Sequence, residues 1–115
     1  MADVLSISYD VELLRTRELL LRRMGHSVTS AEGLAHVFRV CERHVGKFDL
    51  IVLGHSIPPD DKRLIIDYLK GYFCPVLALL RPNEEPAEEA TRSVQGDDPR
   101  ALLAAVEELV GAERD

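Results

Sequence analysis

Leu50-Ile51-Val52-Leu53, four consecutive apolar residues between Asp49 and Gly54, restricts the possible folds of this chain more than any other segment. A strand that is apolar on both faces must be covered on both faces, which is the condition of a central strand in a parallel sheet. The run passes into Gly54-His55-Ser56-Ile57-Pro58-Pro59, where the prolines force a loop. Ligands of open α/β sheets gather beyond the C-terminal ends of such strands, so positions 54 to 56 are where chemistry is expected. A glycine at position 54 offers no acid, base or nucleophile.

The rest of the chain alternates around this strand. Val4 to Ser8 reads as a first strand, with Asp10 placed to cap a helix from Val11 to Met24 that carries Leu13, Leu14, Leu20, Leu21 and Met24 as its apolar stripe and stops at Gly25. His26 to Thr29 is a short second strand. Leu34, Val37, Phe38 and Cys41 keep three-or-four spacing, which predicts a helix from Glu32 to Val45, released by Gly46. Asp60 or Asp61 is the expected cap of a third helix with Leu64, Ile65, Tyr68 and Leu69 inward and Gly71 at its end. Pro75 to Leu80 is a fourth strand. The acidic stretch Pro82 to Ala90 allows at most a short helix, Ser93 to Gln95 is the room left for a fifth strand, and Asp98-Pro99 opens a final helix with Leu102, Leu103, Val106, Leu109 and Val110 inward.

At 115 residues one domain, residues 1–115, is expected. The formal net charge of -6 argues against nucleic acid, no apolar run is long enough for a membrane span, and the N-terminus lacks the pattern of a secretory leader, so a cytoplasmic protein is expected. Cys41 and Cys74 have neither disulfide nor metal-ligand spacing, and the scattered His26, His36 and His44 form no ligand triad. Arg15, Arg17, Arg22 and Arg23 share one predicted helix and read as its solvated face.

In their order and spacing, Val4 to Leu14, Phe48 to Pro59 and Asp98 to Leu103 resemble the receiver domain of bacterial two-component response regulators. The resemblance covers nearly the whole chain. It implies an α/β three-layer sandwich, a doubly wound five-stranded parallel sheet in the order 2-1-3-4-5, flavodoxin-like, with a shortened fourth helix because Pro82 and Pro86 fall in a brief segment. It also implies a phosphorelay chemistry for which this chain lacks the residues. The paired acids that hold a divalent cation match Ser8 and Tyr9, the aspartate acceptor matches Gly54, the phosphoryl-sensing hydroxyl matches Leu80, and the lysine after the fifth strand matches Gln95.

Substitution at all these positions implies a pseudo-receiver, noncatalytic and independent of phosphorylation, with no cofactor and no metal. Three residues could form a residual pocket. Asp10 keeps a carboxylate at the crevice, although a helix cap is its simpler role, while His55 and Ser56 could take a phosphoryl group only with a neighbouring base or metal. Tyr9 is expected to fill the volume that ions would use. Arg15, Arg22 and Arg23 offer an interaction surface for a protein partner such as a signalling kinase or regulator, or for a second copy of the chain. Two other readings remain: phosphoryl transfer to His55, Ser56 or Asp10, and a small-ligand sensor at the sheet's C-terminal crevice.

Overall fold

In the computed structural model, residues 2–43, 48–70, 74–86 and 90–114 are described. Strand and helix alternate as β1 (Asp3–Ser8), α1 (Val11–Arg23), β2 (Ser27–Glu32), α2 (Leu34–Arg43), β3 (Leu50–Leu53), α3 (Pro59–Leu69), β4 (Val76–Leu80), β5 (Arg92–Gln95) and α4 (Pro99–Arg114). The five strands are all parallel, in the order β2-β1-β3-β4-β5. The chain is a doubly wound α/β sandwich of three layers.

Alternation along each strand divides the core into two. Leu5 and Ile7 of β1 and Ile51 and Leu53 of β3 face α2 and α3, where they meet Val37, Cys41, Ile65 and Leu69. Val4, Leu50 and Val52 point to the other side, against Leu21 of α1 and Leu102, Ala105 and Val106 of α4. Thus β3 is buried on both faces, as its four apolar residues require. By the same period of two, Ser6 and Ser8 lie on the α1–α4 face with Val4.

The helix ends follow from their sequences. Asp10 is extended and its Oδ1 accepts from the amides of Glu12 and Leu13 at 3.0 and 3.3 Å, so it caps α1. Gly25, at φ +92°, donates to the carbonyl of Arg22, and His26 to that of Leu21, a paired closure that only a left-handed residue after the helix allows. Asp98 caps α4 through Arg100 and Ala101, ahead of Pro99.

Several expectations are corrected. β2 runs on to Glu32, since the turn into α2 is made by Gly33 at φ +80° rather than before Glu32. Asp60 and Asp61 do not cap α3: Pro58 holds that position without a side-chain bond, and Pro59 begins the helix. The buried face of α3 is Lys62, Ile65, Ile66 and Leu69, which leaves Leu64 and Tyr68 exposed; the Tyr68 ring instead meets Phe38 of α2 with centroids 4.6 Å apart. Met24 is likewise exposed.

The shortening after β4 is complete among the described residues, for 81–86 and 90–91 contain no helix. Arg81-Pro82-Asn83-Glu84 closes as a turn, Glu84 N–H donating to the Arg81 carbonyl at 3.1 Å, with Asn83 at φ +66°. Proline ahead of a left-handed residue fits this turn and no helix start. The stops expected at Gly46 and Gly71, and residues 87–89 of the acidic stretch, lie outside the described residues.

Candidate functional site

The C-terminal tips of the strands carry the positions singled out in the sequence. Ser8 ends β1 with Tyr9 next to it, Gly54 follows β3, and Leu80 and Gln95 end β4 and β5 as a registered pair. The fold therefore brings these positions to one edge of the sheet. Their surroundings differ from an acid-lined metal cradle.

Ser8 and Ser56 fasten the end of β1 to the loop after β3. Their hydroxyls lie 2.9 Å apart, Ser56 Oγ accepts from the Tyr9 amide at 3.0 Å, and Ser8 Oγ accepts from the Asp10 amide at 3.0 Å. Arg81 holds the same loop from outside, donating from Nε to the His55 carbonyl and from Nη2 to the Ser56 carbonyl, each at 2.8 Å. Two of the three residues expected to form a residual pocket, His55 and Ser56, are thus part of a loop fixed by hydrogen bonds.

Tyr9 does not fill the space beside Gly54. Its ring packs on the α2–α3 side of the sheet and its hydroxyl donates to Asp61 Oδ2 at 3.0 Å. Burial, the Asp61 bond and the Asp61 charge push its phenol up to about 12. The alternation that sends Leu5 and Ile7 to that face sends Tyr9 there too.

The space is taken by Arg17, which is 4% exposed. A Cβ on Gly54 would stand 2.6 Å from Arg17 Nη1 and 3.0 Å from the Ile7 carbonyl oxygen. Arg17 Nη2 donates to His55 Nδ1 at 2.8 Å. Arginine has no acceptor, so His55 Nδ1 must be unprotonated and its ring proton sits on Nε2. The ring rests over Gly96, immediately after β5, where a Cβ would fall 2.5 Å from His55 Cγ. Two glycines on two strand ends thus make room for two side chains.

Burial lowers the His55 pKa below its ordinary 6.5, and the charges of Arg17, Lys62 and Arg81 lower it further against the opposing pull of Asp97. Lys62 lies on the buried face of α3 at 1% exposure, its ammonium donating to the Leu79 carbonyl at 2.6 Å and to both oxygens of Glu84 at 3.0 and 2.8 Å. Burial lowers its pKa and the Glu84 bond opposes the shift. Arg17 and Lys62 went unnoticed as site residues, and Arg17 is not part of the solvated face to which its neighbours belong. Arg15, Arg22 and Arg23 are exposed on α1.

A divalent cation does not fit these residues. The position it would occupy offers a serine, a tyrosine turned to the other face and a buried guanidinium, with no carboxylate pair. Among the described residues no group of three histidines, cysteines or acids could hold a metal, and no helix is long and apolar enough to cross a membrane.

No family model and no curated protein sequence matches this chain. Solved structures do. A response regulator receiver domain protein from Clostridium thermocellum superposes with a TM-score of 0.85 at 17% identity, covering 99% of this chain and 98% of that one. The chain carries the receiver fold. A two-component response regulator from Clostridium difficile gives a TM-score of 0.82 at 16% identity over 100% of both chains. The chemotaxis protein CheY4 of Vibrio cholerae gives 0.79 at 20% identity, over 95% of this chain and 98% of that one. Within the receiver fold, the Arg17–His55 pair sits where β1 and β3 deliver their tips.

Proposed function

We propose that this chain is a noncatalytic receiver-like module of bacterial signal transduction that acts through protein contacts and not through aspartyl phosphorylation. The observation that carries the reading is the guanidinium of Arg17 at the place where a side chain on residue 54 would begin. A fixed positive charge there repels a divalent cation and leaves no volume for an acceptor carboxylate. His55, Ser56 and Asp10, the remaining nucleophiles of the crevice, are each held in a hydrogen bond that fixes a loop or a helix start.

The scaffold then serves to present surfaces. The exposed side of α1, with Arg15, Arg22 and Arg23, suits an acidic patch on a partner such as a signalling kinase or another regulator. Among the described residues no helix stands between the turn after β4 and β5, so a partner engaging the side of α4 and β5 meets a different surface. Incubation with acetyl phosphate and Mg2+, followed by intact mass measurement, tests the reading. An unmodified mass is expected; a stoichiometric gain of one phosphoryl group on any residue overturns it.

A further inference from the structure

Between α1 and α4 lies a cavity of about 300 Å3, lined by Leu13, Leu20 and Leu102 and, at its polar end, by Arg17, His55 and Asp97. Its size is at the lower end of ligand pockets. Arg17 is 4% exposed, yet among the described residues no carboxylate pairs with it, and its Nη1 is buried with no hydrogen-bond partner. The Ser6 hydroxyl, on the same face of the sheet, is also buried and unpartnered.

A buried cation whose sole hydrogen-bond partner is a neutral imidazole is under-compensated. The Asp10 carboxylate acts on Arg17 through its charge and opposes the effect of burial, but among the described residues it makes no bond to the guanidinium. The cavity therefore joins an apolar wall to a buried guanidinium with an unfilled donor. A carboxylate accepts from a guanidinium more strongly than an imidazole does. The His55 ring, half-buried over Gly96, is the partner it would replace.

We infer that the cleft between α1 and α4 binds a small organic carboxylate, its acid group paired with Arg17 in place of His55 and its short apolar body against Leu13, Leu20 and Leu102. The inference goes beyond the interaction-module reading, which needs no ligand. Apolar walls favour an organic acid over a fully hydrated inorganic anion.

Titration of the full chain with hexanoate, followed by amide NMR signals, tests it against hexanol and inorganic phosphate. Hexanoate is expected to shift signals of Thr16, His55 and Asp97 in a saturable way, with hexanol about tenfold weaker because the charge-assisted bond is missing. Arg17→Gln should remove the difference between acid and alcohol. Leu20→Trp, which fills the cavity without touching the charge, should abolish the hexanoate response while the spectrum elsewhere stays native, so it decides the matter if Arg17→Gln does not fold. Equal binding of hexanol, equal shifts with phosphate, no saturable shift, or an undiminished response in Leu20→Trp would each overturn the inference. Phosphodonor treatment reads none of these outcomes, so the two proposals fail separately.

Discussion

Arg17 and His55 share a hydrogen bond of 2.8 Å in which the guanidinium can only give and the imidazole Nδ1 can only take. Each side chain lies against a glycine, Gly54 for the first and Gly96 for the second, so the pair closes the crevice from two strand ends. A protonated His55 loses this bond and faces Arg17, Lys62 and Arg81 as a like charge. The pair is stable in one protonation state.

This fixes the sign of a pH effect. The folded pKa of His55 lies below its unfolded value of 6.5, so the unfolded chain binds the extra proton first. The contribution is complete above the unfolded value and is lost as pH falls from about 6.5 toward the lower folded value. Urea denaturation of the wild type and of His55→Gln between neutral and mildly acidic pH should show a steeper fall in the wild type. Parallel curves would remove His55 from the account.

Gly96→Ala should force the His55 ring out of its seat, since the new Cβ would fall 2.5 Å from both its Cβ and its Cγ. Overpacking of this kind costs about 1–3 kcal/mol. The double variant with His55→Gly should regain most of that loss, because both the ring and the Cβ that obstruct the new methyl group have gone. Additive losses in a double-mutant cycle would mean that the two positions do not touch.

Lys62 and Glu84 form an ion pair with side chains 2% and 8% exposed. Glu84→Gln keeps the shape but strands a buried ammonium, and should destabilise by about 3 kcal/mol. Lys62→Met combined with Glu84→Gln should be more stable than Glu84→Gln alone, as no charge is left to desolvate. Chemical denaturation of the single and double variants decides it, and an equal loss in both would count against the buried pair.

The architecture was legible because its central strands and two of its helices advertised themselves by different means. β3 did so by four apolar residues, β4 by five after a proline, and α1 and α4 by their aspartate caps. β2 was read short, since Ser30 and Glu32 look polar although Ala31 between them is fully buried. That Ser8, Tyr9 and Gly54 stand at one edge of the sheet was visible too. What surrounds them was not, because charge dominates α1 as a sequence: Leu14, Arg17 and Leu21 follow the three-and-four spacing of a buried face, yet an arginine in that row reads as solvated like its neighbours. Lys62 ahead of Ile65, Ile66 and Leu69 repeats the pattern. Long stems allow such residues to lie on an apolar face while their charged ends reach a distant partner, and that partner, Glu84 or His55, lies far along the chain.

The seat of Arg17 against Gly54 also restricts which mutational routes this sequence can take. An aspartate at position 54 would arrive beside a cation already in its space, tethered to it and still without acids at positions 8 and 9, so that change alone yields a jammed crevice and no acceptor.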